Sequence, residues 1–220
     1  MNQLSVSILI PLYNGIEFLP ECIKSVQNQI YTNWEIIIGI NGHHEHSQIH
    51  NIAKTFSGPK ITVKWYPSKG KPNTMNLMVA VAKYDTVCIL DVDDYWHPNK
   101  LQQQVNVKHM WDIVGTQCYY VRGNTVTKQK PKIPVGKVTE FFSCNPMINS
   151  SVMMNKRDAV FEDVFLDDYA LWFRLQYENK SFYNLPTPLV YHRLHSGSHF
   201  NGTNNKFVKE LRNKWRQFKK

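Results

Sequence analysis

Apolar residues along this chain change period several times, and each change marks an element. Residues 4–12 read Leu-Ser-Val-Ser-Ile-Leu-Ile-Pro-Leu, a run suited to a strand that stops near Pro11, where the ladder loses a donor. After the Tyr13-Asn14-Gly15 turn, Phe18, Leu19, Cys22, Ile23 and Val26 recur at helical spacing, with Pro20 acceptable in the first turn. Residues 34–40 form an apolar strand closed by Asn41 and Gly42. Ile49, Ile52, Ala53 and Phe56 mark a short helix, and residues 61–66 alternate as a strand. Met75, Leu77, Met78, Val81 and Ala82 then predict a helix opened by Ser68-Lys69-Gly70-Lys71-Pro72-Asn73. Residues 87–90 are apolar on both faces, as in a parallel sheet covered by helices.

Later segments are patterned less evenly. Leu101, Val105, Val107 and Met110 predict a helix after Pro98, and residues 113–121 a strand. Residues 124–135 are polar, basic and proline-bearing, which suits a mobile surface loop. Val152 and Met153 look strand-like, residues 167–175 begin a helix, and 181–185 and 188–191 read as two short terminal strands. Strands alternating with helices through the first half predict an α/β protein with a mostly parallel central sheet.

A length of 220 residues supports one sizeable core with a small appended element, and 42% hydrophobic against 20% charged residues is ordinary for a globular protein. The longest apolar runs are too short to span a bilayer, and no basic start precedes an apolar stretch, so no secretory signal is expected. Cys22, Cys88, Cys118 and Cys144 are scattered, which fits buried thiols in a reducing compartment and a cytoplasmic protein. The net charge of +9 suits nucleic acid, an anionic membrane surface or an acidic substrate. Much of it lies in residues 205–220, where Phe207, Val208, Leu211, Trp215 and Phe218 share a side amid seven lysines and arginines. That segment reads as a basic amphipathic helix. It suits peripheral contact with a membrane, a partner, or packing onto its own domain.

Candidate chemistry concentrates at the end of the 87–90 strand. Asp91, Asp93 and Asp94 stand where open α/β sheets bind ligands, and close carboxylates repel unless a cation such as Mg2+ or Mn2+ lies between them. A helix-capping acidic turn, with Asp94 or Asn99 as cap, is the plainer alternative. Lys69 or Lys71 with backbone N–H groups at the next helix start could meet phosphate, although the spacing is not a Walker motif. His43, His44, Glu45 and His46 lack the spacing for a tetrahedral zinc site and read as an exposed loop. Asp167 and Asp168 suit the positive end of a helix dipole, and residues 192–199 could carry a metal ligand, a phosphate contact or neither.

Five segments in order carry a family likeness. They are residues 6–15 (Val-Ser-Ile-Leu-Ile-Pro-Leu-Tyr-Asn-Gly), residues 19–29, Leu90-Asp91-Val92-Asp93-Asp94, Asp167-Asp168-Tyr169-Ala170-Leu171-Trp172 and Tyr191-His192-Arg193-Leu194-His195. Together they resemble the inverting family-2 nucleotide-sugar glycosyltransferases of GT-A type. The resemblance implies a Rossmann-like, mostly parallel sheet flanked by helices, with a small mixed acceptor-side region. It divides residues 1–204 into a nucleotide-binding half, 1–98, and an acceptor-binding half, 99–204. It further implies a UDP-sugar donor lying against Pro11, Tyr13, Asn41, Lys69, Asn73, Asp91 and Val92, with Arg193 on a phosphate. Mn2+ or Mg2+ would be held by Asp93 with Asp91 or Asp94, and His195 would add a ligand. Asp168 is implied as general base, with Asp167 and Trp172 on the acceptor side; the acceptor could be a glycan, lipid-linked or protein-linked. Asn41 stands where the family usually has an aspartate that contacts the nucleotide.

Two rival classes are a sugar-phosphate nucleotidyltransferase and a non-catalytic nucleic-acid-binding module. The first leaves the late acidic and Arg-x-His segments without a use. Three carboxylates at one strand end would repel nucleic acid, which disfavours the second.

Overall fold

The computed structural model describes residues 3–127, 133–195 and 205–217. Strands β1 (Val6–Leu12), β2 (Trp34–Asn41), β3 (Ile61–Tyr66) and β4 (Thr86–Ile89) pair in parallel in the spatial order β3-β2-β1-β4. Helices α1 (Leu19–Gln27), α2 (Gln48–Lys54) and α3 (Lys71–Val81) make the crossovers. Every residue of β1 is buried because both faces of the sheet are covered. Ile8 and Ile10 enter one core with Leu19, Cys22 and Val26 of α1, while Leu9 enters the opposite core with Met75 and Met78 of α3. At Gly39 of β2 an added Cβ would lie 2.5 Å from the Met78 sulfur, so glycine is what lets α3 sit this close.

The second half continues the same sheet. Its elements are β5 (Tyr95–Trp96), α4 (Lys100–Val107), β6 (Ile113–Arg122), β7 (Thr125–Thr127), β8 (Gly136–Lys137), β9 (Met153–Asn155), α5 (Asp167–Tyr177) and β10 (Phe182–Arg193). Short β9 runs antiparallel to both β4 and β6 and joins the halves, giving the order β3-β2-β1-β4-β9-β6-β10-β5.

Three expectations change here. The two terminal strands are one, β10, whose register against β6 shifts between Leu185, Pro188 and Val190 instead of breaking at the prolines. Tyr95 and Trp96, to which the sequence pattern assigns no strand, pair with Tyr191 and Val190 of β10. Within the expected surface loop, residues 125–127 form a hairpin strand on β6, while 128–132 lie outside the described residues.

Helix α6 (Asn205–Arg216) packs back on its own domain. Leu211 is buried in the core shared with α5, Val208 and Trp215 pack against that core, and Arg212 Nε donates to Tyr169 Oη at 3.2 Å. The apolar side once free to enter a membrane or a partner is therefore occupied. All four cysteines are free, and Cys22, Cys88 and Cys118 are buried. Among the described residues no helix is long and apolar enough to cross a membrane.

Candidate active site

The buried run of β4 continues through Leu90, whose N–H bonds to Leu9 O at 3.0 Å, and then releases the chain into an acidic turn closed by Asp94 N–H on Asp91 O at 3.0 Å. The three aspartates point to different tasks. Asp91 accepts from Lys71 Nζ at 2.6 Å, from Asn149 Nδ2 at 2.9 Å and from Ser150 Oγ at 3.3 Å. Burial works to raise the Asp91 pKa, but Lys71 and the Asn149 amide hold it below the usual carboxylate range. Asp93 is half-buried and lies 2.9 Å from His195 Nε2; burial and repulsion from Asp94 and Asp91 push its pKa up.

Asp94 is fully buried. One of its oxygens is 3.0 Å from His192 Nδ1 and the other accepts from Arg193 N–H at 3.0 Å, so it anchors β10 and has no oxygen turned outward for a metal. Nor does it cap α4, where Asn99 stands at the N-cap without a side-chain capping bond. Burial works to lower the His192 pKa, yet Asp94, with Asp93 and Asp91 behind it, carries it up to about 9, so His192 is a cation at neutral pH.

Arg193 Nη1 donates to Asp93 O at 2.9 Å, Nη2 pairs with Glu21, and the guanidinium lies over the rings of Phe18 and Tyr95. It clamps α1, the acidic turn and β10 together.

A second acidic pair opens α5. Asp168 accepts from Asn145 Nδ2 at 2.9 Å and from Tyr169 N–H at 2.7 Å. Burial, then the adjacent Asp167 charge, push its pKa up to about 6. Burial likewise raises Asp167, whose Oδ2 is buried without a hydrogen-bond partner among the described residues. Lys71 links the two groups. Burial opposes its charge, but Asp91, Asp167 and Asp168 together keep it firmly protonated. Lys71 is thus ion-paired with Asp91 and is also stabilised by the charges of Asp167 and Asp168, about 75 residues further along the sequence.

Tyr13 and Lys69, both expected on the nucleotide side, lie together. Tyr13 carries Lys69 Nζ 4.6 Å over its ring, and the His43 ring lies 5.1 Å away with its Nε2 against Tyr13 O. Gly42 holds this turn at φ +69°, where an added Cβ would meet Lys69 Cβ at 2.9 Å. Pro11 is buried opposite Gly39, Asn73 is exposed on the first turn of α3, and Val92 packs into the core near Gly15.

Besides Asp94, two assignments move. Asn41 is buried, with Nδ2 donating to Leu12 O at 3.3 Å and Oδ1 accepting from Gly70 N–H at 3.4 Å, so its amide braces the loop ends. Asn41→Asp would set a carboxylate oxygen against the Leu12 carbonyl and is expected to lower stability by about 2 kcal/mol, read as an earlier urea midpoint. Trp172 is wholly buried among Tyr169, Leu171 and Phe173, out of reach of any acceptor.

Asn145, Asn149 and Ser150 were not anticipated. The only hint was a cluster of small polar residues between Phe142 and Val152 in a segment that otherwise reads as core. Removing the Asn145 bond takes away a group that favours the ionised form of Asp168. Asn145→Ala is therefore expected to lower turnover about tenfold at pH 6, with recovery at higher pH, in a pH–rate profile.

The match to the glycosyl transferase family 2 description covers residues 7–172, which takes in β1, both acidic groups and the first turns of α5. The chain belongs to this family. Among curated relatives of this family-2 chain, the amylovoran biosynthesis glycosyltransferase AmsB of Erwinia amylovora is 27% identical over 183 residues, covering 77% of this chain and 61% of that protein. The Escherichia coli UDP-Glc:alpha-D-GlcNAc-diphosphoundecaprenol beta-1,3-glucosyltransferase WfgD is 27% identical over 227 residues, covering 98% and 85%. The chain spans 31% of an uncharacterized glycosyltransferase of Rickettsia conorii, so some relatives are much longer than this family-2 domain. Among solved structures, S. aureus TarS 1-349 in complex with UDP-GlcNAc superposes with a TM-score of 0.77 at 15% identity, covering 98% of this chain and 66% of that one. The fold is the GT-A type that the sequence resemblance implied.

Proposed function

We propose that this chain transfers a sugar from a nucleoside-diphosphate sugar, UDP-sugars first, to an acceptor hydroxyl with inversion at C1. The observation that carries this reading is the convergence of the Asp91–Asp93 turn and the Asp167–Asp168 pair on Lys71. Two acidic groups with separate tasks, one on the departing diphosphate and one on the attacking hydroxyl, are what a single displacement needs. The relative named for UDP-Glc and the TarS complex with UDP-GlcNAc support UDP as the first nucleotide to test.

Tyr13, His43 and Lys69 would border the nucleotide, with Asn41 fixing the loop beneath it. Asp168 would take the acceptor's proton as the oxygen forms its bond to C1. The bond from C1 to the diphosphate oxygen breaks on the opposite face, and the electron pair leaves with the diphosphate. One such displacement inverts the anomeric centre.

Asp93 and His195 fit a hard divalent cation by donor chemistry. They bring one carboxylate oxygen and one imidazole nitrogen to within 2.9 Å of each other, a donor pair that such a cation accepts. Among the described residues no group of three or more His, Cys, Asp or Glu side chains is arranged to hold a metal, so substrate phosphates and water would complete the shell, as is usual for Mg2+. When bound, Mn2+ or Mg2+ would act as a Lewis acid offsetting charge on the leaving diphosphate. His192 and Arg193 keep Asp94 and the acidic turn in place.

The acceptor of WfgD is named as a sugar on diphosphoundecaprenol, which makes a lipid-linked hydroxyl the first acceptor to try. The direct test is nucleoside diphosphate release from UDP-, dTDP- and GDP-sugars with and without Mn2+. UDP release is expected. Pyrophosphate release from UTP and a sugar 1-phosphate would mean a nucleotidyltransferase instead, and no turnover with any donor or acceptor would sink the reading.

A further inference from the structure

We propose that the outer face of α6, together with the Phe165–Phe207 ring pair, docks this protein on an anionic lipid bilayer. The helix carries Lys206, Lys209, Arg212, Lys214 and Arg216 against a single acid, Glu210. Its inner side is already used. Leu211, Val208 and Trp215 pack on the domain, Arg212 reaches Tyr169, and Lys214 Nζ lies 3.1 Å from Glu162. Arg216 lies over the Phe142 ring, and helical spacing places Lys206 and Lys209 on the opposite, exposed side, Lys206 with Glu210 at 3.9 Å.

A merely solvated basic face would end at its charges. This one continues into hydrocarbon. The Phe165 and Phe207 rings stack at 4.4 Å and are 50% and 42% exposed, and Val160 and Val164 are exposed in the same loop. Cations beside protruding aromatic and aliphatic side chains match the boundary between anionic headgroups and acyl chains. A nucleic acid or an acidic protein would answer the lysines but give the two valines no apolar phase. Glu162 is neutralised by Lys214, and exposed Asp163 is the one charge in the loop that opposes the field. Phe165 lies three residues before Asp168, so docking would bring the start of α5 to the headgroup level. The surface does not depend on the transfer chemistry, and binding tests it without any donor or acceptor.

The experiment is flotation of the 220-residue chain with vesicles of phosphatidylcholine alone or mixed with phosphatidylglycerol, at low and high salt. Partition is expected to be about tenfold higher on the anionic vesicles and to weaken with salt. Lys206→Glu with Lys209→Glu is expected to lower it roughly tenfold or more with an unchanged thermal melt. Phe207→Ser should lower it a few-fold and keep the salt dependence. If the charge reversal fails to fold, Lys206→Gln with Lys209→Gln replaces it, with a smaller loss expected. No binding, equal binding to neutral vesicles, unchanged binding by the lysine variants, or vesicle binding abolished by a modest excess of RNA would each overturn the proposal.

Discussion

Asp168→Asn is expected to cut transfer by roughly a thousandfold while leaving nucleotide affinity within about twofold of the parent. The replacement keeps shape and a hydrogen-bonding partner for Asn145, so the first turn of α5 is expected to stay in place. What it removes is the ability to accept a proton. In the parent, burial and the Asp167 charge have already pushed the Asp168 pKa up to about 6, which makes it a better base than a solvated aspartate while still ionised at neutral pH. Turnover in the parent should therefore fall as pH drops through about 6, because the protonated carboxyl can no longer take the acceptor's proton. Protons leave the Asp167–Asp168 pair in two steps, so the inflection belongs to the pair. In Asp168→Asn that limb should disappear along with the rate. Single-turnover transfer and UDP titration by tryptophan fluorescence separate the two effects, and a variant that still transfers at near-parental speed would move the base elsewhere.

Asp93→Ala should be comparably damaging by another route. Lewis-acid stabilisation of a leaving diphosphate is worth several kcal/mol, so loss of the carboxylate beside His195 is expected to lower donor turnover by about a thousandfold and to abolish stimulation by Mn2+. Because the Asp93 side chain holds no part of the sheet, the melting temperature should change little. Asp94→Ala makes the contrast. Its carboxylate is buried between His192 and the Arg193 backbone, so that variant should lose stability first and activity as a consequence. Cation-stimulated hydrolysis of a UDP-sugar, measured beside a thermal melt, distinguishes them. Retention of metal stimulation in Asp93→Ala would remove Asp93 from the donor site.

The strands of the first half were readable because a strand buried on both faces is spelled as a continuous apolar run. Edge strand β3, exposed on one side, was instead legible by alternation over residues 61–66, and the acids after β4 were located by the apolar run before them. What three aspartates within four residues do could not be read, since their directions depend on the Tyr95–Trp96 pairing with β10, a contact made across almost 100 residues. Asn41 was legible as a turn residue, but its bonds to Leu12 O and Gly70 N–H exist only once two loops meet. Trp172 misled for a different reason. Its spacing of four from Asp168 implies a shared helix face, yet Tyr169 to Phe173 are all buried, so this part of α5 has no open side to share. Asn145 and Asn149 reach Asp168 and Asp91 from one irregular segment, where hydrophobic periodicity carries no signal.

That segment leads into β9, and its placement bears on how the molecule assembles during synthesis. A nascent chain that has emerged only through residue 98 has β4 without its second neighbour, and Asp91 without Asn149 or Ser150. The open edge closes only when Met153, Met154 and Asn155 leave the ribosome tunnel. The two halves are therefore poor candidates for stepwise domain-by-domain maturation. N-terminal fragments that end before residue 153 should, on their own, stick to one another through that bare strand, whereas adding the remaining piece with Met153 to Asn155 should permit reassembly.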